Sequence, residues 1–381
     1  PCSRTNTNDS RIEECLSRFR GRRRVQGELT RYFNEYLFLG GIESGQRAFQ
    51  GIDPRDYAKA SAEEKQQLGG VFGAIGENPR FYNPGRPENW SVDFSAVVAG
   101  YLSEGVPRLT WLKPKAEIEM QRAVEVVANF LRYLLQHDVC NEYKDDITNA
   151  LVLCERAKEE LPLIKNAIAK TPCRFNDATT RVFEGGKEFE YTQAHMRKEP
   201  MTADEGIFSL GMVFFGPRDV YEQLKTLKIV RAVGREEPCT LEILSVHPVD
   251  DNARGAGKIY GKVSKVGDGV ATGIIRCKHI FIRDDLCHGD APEETPPDRV
   301  EELMVDEGLL EFLRPGCIIC VSLAELNIGL KYMVNLPEIL PSFHRFLPQR
   351  MMRAYKPPRR NERPAPSALD PAGEEDQDAE E

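Results

Sequence analysis

Four places along this chain carry residue types that could do chemistry. The first is His137-Asp138-Val139-Cys140, where a base beside a carboxylate, or the start of a metal site, would be the active readings. No second His or Cys stands at ligand spacing on either flank, so the histidine is read as a hydrogen-bonded end cap. Asp145 and Asp146 follow in the first turns of the next helix, where a helix dipole favours carboxylates, and capping and solvation account for them. The second place is the set Cys277, His279, Cys287, His288, Cys317 and Cys320. A zinc site needs such thiolates to converge, but Cys317 and Cys320 lie within a continuous apolar run instead of a knuckle turn. Buried free cysteines are the plainer account, and no metal is expected. The third is Gly255-Ala256-Gly257-Lys258. A phosphate loop would need Gly at 252 and Ser or Thr at 259, where Asn252 and Ile259 stand, and the run beyond reads as a strand. A loop between strands is expected there. The fourth is the arginine group Arg20, Arg22, Arg23 and Arg24, a candidate contact for a partner or for RNA. Arginines without interleaved aromatics allow phosphate contact but not base reading, and a solvated or partner-facing helix end is the plainer account.

No Gly-x-Ser-x-Gly elbow occurs, and no carboxylate pair is placed as acid-base machinery. The expectation is a protein without catalytic residues or cofactor; a metal-dependent hydrolase would need the cysteine and histidine set to converge.

These residues must be positioned by two kinds of element. Met120, Val124, Val127, Leu131 and Leu134 form one helical stripe, and Ala123, Val126, Phe130 and Tyr133 form a second beside it. That predicts a helix buried on more than one side. Tyr143, Ile147, Leu151, Cys154 and Leu161 line one face of the next helix, opposite Glu142, Lys144, Asp145, Asn149, Glu155, Arg156 and Glu159. Together they make an αα-hairpin. Upstream, Ile12, Cys15, Leu16 and Phe19 give a short helix with arginine flanks. Residues 28–39 give another, ended at Gly40-Gly41, where a glycine can take the left-handed conformation. Further helices are predicted over 54–68, capped by Asp53, and around 92–102. Past Pro172 the period changes. Residues 240–246, 258–266, 270–282, 317–323 and 330–336 read as strands, with turns at 267–269 and 327–329 and one helix at 217–227. The expected fold class is α+β: a helical domain over 1–170, a β-rich sheet or partly closed barrel over 171–350, and a disordered tail over 351–381.

The length of 381 residues suits two or three domains. With 41% hydrophobic and 29% charged residues and no apolar run near the ~18 residues of a membrane span, a water-soluble protein is expected. No signal pattern opens the chain, and its leading Pro reads as a trimmed or internal start. Ten cysteines in so long a chain read as reduced thiols of the cytoplasm or nucleus. Net charge is −9, unevenly spread. Seven arginines face three glutamates between residues 11 and 31, a local +4, and six cations face Glu362 between 350 and 363, a local +5. Residues 370–381 then hold seven carboxylates and no cation. Five prolines between 357 and 371 and little apolar content make that tail read as disordered, able to shield a basic surface or serve as an interaction arm.

The stretches YFNEYL from Tyr32 with GGIESGQRAFQGID after it, WSVDFSAVVAGYL from Trp90, and YLLQHDVCNEYKDDITNALVLCERA from Tyr133 resemble the Argonaute-binding subunit of the fungal Argonaute small-interfering-RNA chaperone complex. GVATGIIRCKHIFIRDD and PSFHRFLP fit the same family more loosely, and the likeness spans about residues 10–350. The resemblance implies a non-catalytic protein of nucleus and cytoplasm with two protein partners, Argonaute and a second chaperone-complex subunit, and with small RNA met indirectly through Argonaute. It implies restraint of passenger-strand cleavage and release, and support for RNA-directed heterochromatin and histone H3 lysine 9 methylation. The competing class is an RNA-binding module working through the arginine group.

Overall fold

The computed structural model describes residues 8–42, 91–191, 201–235, 238–263, 271–282 and 296–352. In chain order, helices α1 (Asn8–Arg23) and α2 (Glu28–Leu39) precede α3 (Phe94–Gly100), a π turn at Tyr101–Gly105, and α4 (Val106–Thr110). The long pair α5 (Ala116–Gln136) and α6 (Lys144–Ile168) follows. Every residue of both apolar stripes on α5 is buried, as a helix covered on two sides requires. Phe19 of α1, Phe33 of α2 and Phe130 of α5 meet with ring centroids 5.2 to 5.5 Å apart, two of the three contacts edge-on in the way aromatic quadrupoles favour and the third tilted. Those contacts fix α1 and α2 against α5. The predicted bounds of α2 agree with the structure, and Gly41, at φ +82°, is the residue in left-handed conformation. The predicted helix over 54–68 and its cap Asp53 lie outside the described residues.

Helix α6 is 25 residues long, roughly 37 Å. Its first two thirds pack on the aromatic core through Ile147, Ala150, Cys154, Ala157 and Leu161. Its end enters a second core, where Ile164 and Ala167 meet Leu241, Ile243, Ile275 and Cys277.

The second half continues with α7 (Arg174–Phe183), β1 (Glu188–Glu190), α8 (Ala203–Phe215), α9 (Arg218–Leu227), β2 (Ile229–Arg235) and β3 (Cys239–His247). Then come α10 (Asp251–Val263), β4 (Thr272–His279), β5 (Val300–Asp306), α11 (Glu307–Leu310), β6 (Ile318–Leu326), β7 (Lys331–Leu340) and α12 (Gln349–Met352). All strand pairs are antiparallel. Strand β6 is the centre: β7 pairs along one edge, while β3 and β2 share the other, taking residues 318–321 and 324–326 in turn. Beyond β3 lie β4 and β5. The class is mixed α+β, and of the two expected forms the open sheet is the one observed, since no ladder joins β5 to β7 among the described residues.

Helix α7 covers that seam. Asp306, at the end of β5, accepts from the backbone N–H groups of Arg174 and Phe175 and so caps the helix. One turn on, buried Asn176 donates to the Met304 carbonyl of β5 at 2.8 Å and accepts from the Met333 N–H of β7 at 2.9 Å. A side-chain amide thus stands where a strand would have paired.

Three expectations for this half are corrected. The Gly255 to Lys258 segment is not an inter-strand loop but the middle of α10, and the strand predicted over 258–266 is helical as far as Val263. Asp250 starts that helix, accepting from Asn252 and Ala253 N–H groups at 3.0 Å each. A Cβ on Gly257 would stand 2.8 Å from the Phe215 ring, so the glycine permits the approach of α10 to α8. The predicted turn at 267–269 lies outside the described residues. Helices α7 and α8 were also unforeseen, although Thr202 and Glu205 form a reciprocal capping box before α8, a pattern visible in sequence. Among the described residues, no helix is long and apolar enough to cross a membrane.

Candidate functional site

The helical corner resolves as structure. The His137 N–H donates to the Tyr133 carbonyl and its ring lies 4.2 Å from the Tyr133 ring, while Asp138 takes a positive φ of 51° and Cys140 is buried. Asp146 does cap a helix, but a neighbouring one. Its carboxylate accepts from the Phe94 N–H at 2.6 Å, the Ser95 N–H at 3.1 Å and the Ser95 hydroxyl, so α6 holds the start of α3.

Cys277 and His279 share the inner face of β4 as the alternation implied, and both are buried. His279 serves an ion cluster: its Nε2 lies 3.1 Å from Glu301, which also binds Lys331 at 2.9 Å and Arg299 at 2.8 Å. Burial alone would push the Glu301 carboxyl up, but its bonds to Lys331 and His279 and the charge of Arg299 outweigh that and hold it below the usual range. The cluster gathers three strands whose residues are distant in sequence, so no spacing announced it. Burial pushes the Cys277 thiol up to about 12 and the Cys317 thiol up to about 11, which keeps both as unreactive thiols. Cys287 and His288 lie outside the described residues. No group of three or more His, Cys, Asp or Glu stands at metal-holding geometry among the described residues.

A crevice of about 10 Å³, the size of one water, lies between α2, the π turn and α12, lined by Glu35, Glu104, Arg108 and Arg350 among others. It is far below what a small-molecule ligand requires. What it marks is a joint. After β7 the segment 341–348, PSFHRFLP, crosses back over the helices. Ser342 binds Glu160 of α6 through its N–H and hydroxyl, the Arg345 N–H reaches the Ser103 hydroxyl at 3.5 Å, and Arg350 pairs with Glu104. Leu347 fills the notch at Gly100, where a Cβ would stand 2.4 Å from it. This strap ties the end of the sheet to α2 and α3.

His344 is the strap's buried group. Burial pushes its imidazole down to about 4 even with the Glu104 carboxylate 3.9 Å away, and its Nδ1 has no hydrogen-bond partner. Because the folded value lies below the usual 6.5, the unfolded chain binds the extra proton first on acidification. Stability from this group is therefore whole above about pH 6.5 and is lost as pH falls toward 4, by roughly 3 kcal/mol at the limit. Melting temperature followed from pH 7 to 4 should fall more steeply in the unmodified chain than in His344→Gln. Parallel curves would remove the strap from the acid response.

The arginine group divides. Arg20 turns inward: it donates to Asn34 Oδ1 at 2.6 Å, lies 5.4 Å from the Phe33 ring centroid, and is pushed below its ordinary pKa by burial. Arg22, Arg23 and Arg24 are exposed at the end of α1, where the helix dipole favours cations, and make no ion pair among the described residues. Arg31, exposed on the first turns of α2, adds to the same corner.

The fold and its surface define a packed α+β scaffold whose exposed chemistry suits partner binding: a cationic corner on a helical unit, with a strap joining that unit to an antiparallel sheet. The chain belongs to the family described as Argonaute siRNA chaperone (ARC) complex subunit Arb1, whose model matches residues 3–358. It is 29% identical over 174 residues to Argonaute-binding protein 1 of Schizosaccharomyces pombe (strain 972 / ATCC 24843), a stretch covering 45% of this chain and 41% of that protein. The match thus spans less than half the length of that relative. No solved structure matches the chain.

Proposed function

We propose that this chain is a non-catalytic subunit that binds Argonaute carrying duplex small RNA, alongside a second chaperone subunit. In this reading it restrains passenger-strand cleavage and release, and so supports RNA-directed heterochromatin formation and histone H3 lysine 9 methylation. It meets small RNA through Argonaute and works in nucleus and cytoplasm. The observation that carries the reading is the family match over residues 3–358, joined by a relative whose name makes it an Argonaute-binding protein. The helical segments at Tyr32, Phe94 and Tyr133 and the strap at Phe343 build one core. Argonaute loaded with duplex, or with guide strand alone, should co-elute with the 381-residue chain in at least the duplex state, and added chain should slow passenger-strand release. Absence of co-elution in both states would overturn the proposal.

The exposure of Arg22, Arg23 and Arg24 favours a second reading, direct phosphate contact. An RNA binder of that kind would hold free duplex tightly, with log K falling by about 0.7 to 0.9 per neutralised phosphate for each tenfold rise in salt.

A further inference from the structure

We propose that the unpaired half of the β2 edge is where this protein binds Argonaute, by taking an extended, acidic segment of Argonaute as a further strand beside Ala232, Val233, Gly234 and Arg235. The inference rests on the Argonaute-binding reading above and deepens it.

The register shows the edge to be open. The Asn327 N–H donates to the Arg231 carbonyl, and the Asn327 side chain accepts from the Arg231 N–H and donates to the Ile229 carbonyl, all at 3.0 Å. Strand β6 and the turn after it therefore hold one edge of β2 along its whole length. On the opposite edge β1 pairs only with residues 229–231, and the Tyr191 N–H reaches the Lys228 carbonyl. Backbone groups alternate between the two edges along a strand. The Leu326 N–H turns to Leu330, away from β2, so its partner Ala232 presents its own N–H and C=O to the β1 side. Past the bulge at Val233, Arg235 opposite Ala324 has the same aspect. No strand meets these groups among the described residues. Strand β1 stops short of them, where Gly185 (φ +70°) and Gly186 (φ +77°) break the extended chain in left-handed conformation.

The side chains leave the edge accessible. All four residues are exposed, Val233 to 55%. Gly234 takes no left-handed φ, and a Cβ on it would meet nothing within 4 Å. Neither conformation nor internal packing requires that glycine, which leaves close approach of another backbone as its use. Ile229 is exposed as well and, with Val233, gives an aliphatic strip for an incoming strand to cover.

Charge selects the occupant. Lys187 and Arg235 flank the open edge, both exposed and without an ion pair among the described residues, while the neighbouring carboxylate of Glu188 lies 3.9 Å from Arg231. An acidic segment is complementary to them. A second copy of this chain is not, because two antiparallel β2 edges would bring their own arginines together. In strand addition the main chain supplies affinity and alternate side chains supply selectivity.

Affinity for Argonaute carrying duplex small RNA is measured for the 381-residue chain and two variants, with amide exchange followed over residues 229–235 in the free and bound chain. The Ala232 and Arg235 amides should exchange quickly in the free chain and slow by about tenfold or more on binding. Lys187→Glu with Arg235→Glu should weaken binding by about tenfold or more, and the loss should shrink as salt rises. Ala232→Pro removes a donor that faces the open edge and should weaken binding as well. Both variants should keep the melting temperature of the unmodified chain, since the changed side chains are exposed. Slow exchange at both amides in the free chain, or exchange unchanged on binding, overturns the proposal. Binding that survives both variants overturns it while leaving the functional reading intact. An unmodified chain that does not bind Argonaute overturns both together. Protection that grows with chain concentration in the absence of Argonaute assigns the edge to a second copy and overturns the proposal too.

Discussion

Leu131→Asp is expected to leave the chain unfolded or aggregated. Leu131 is wholly buried in α5, in the core cluster that also holds Val127, Phe130 and Leu134 and the aromatic side chains of α1 and α2. Removing a buried leucine costs about 2 to 5 kcal/mol for lost transfer and cavity, and an unpaired carboxylate adds a desolvation penalty of several more unless it is protonated. A typical domain has only about 5 to 15 kcal/mol of stability to lose. Circular dichroism melts and the soluble fraction on expression would check this. A variant that melts with the unmodified protein would mean that α5 is not the centre of the helical core. Leu131→Met serves as the control, since it preserves volume and should cost less than about 1.5 kcal/mol.

The second large effect is expected at Asn176. Asn176→Leu keeps the size but removes both bonds that bridge β5 and β7, leaving the Met304 carbonyl and Met333 N–H without that partner in a buried seam. Each unsatisfied group costs about 1 to 3 kcal/mol, so a loss of roughly 2 to 6 kcal/mol follows. Urea unfolding should show a lower midpoint, and amide exchange at Met333 should speed up more than exchange on β4. A midpoint within about 0.5 kcal/mol of the unmodified chain would show that the seam does not need the clasp.

Much of the helical half was legible because its signal is local and repeated. Two stripes at helical spacing marked α5 as a doubly covered helix, and Gly40-Gly41 ended α2. A β-branched and aliphatic run found β3, alternation found β4, and Asn327 to Gly329 marked the turn between β6 and β7. The errors fall where local signals compete. Residues 258–263 alternate like a strand, yet Asp250 caps a helix through them and Gly257 lets it pack. Helix α7 places Phe175, Ala178, Val182 and Phe183 at helical spacing, a local signal at a place where no element was expected.

The residues of the candidate site divide along the same line. Sequence alone determined that arginines gather near the end of α1 and carboxylates at the end of the chain, since charge is a property of composition. It likewise determined which faces of α5 and α6 are apolar, because periodicity is written in neighbouring residues. Only the tertiary structure decided that Arg20 turns in against Phe33 while Arg22 to Arg24 stay outside, that Asp146 caps a helix some 50 residues upstream, and that residues 341–348 lie across Gly100. Each of those depends on contacts between segments far apart in the chain, and such contacts are chosen by packing and buried hydrogen bonds, which no local spacing encodes.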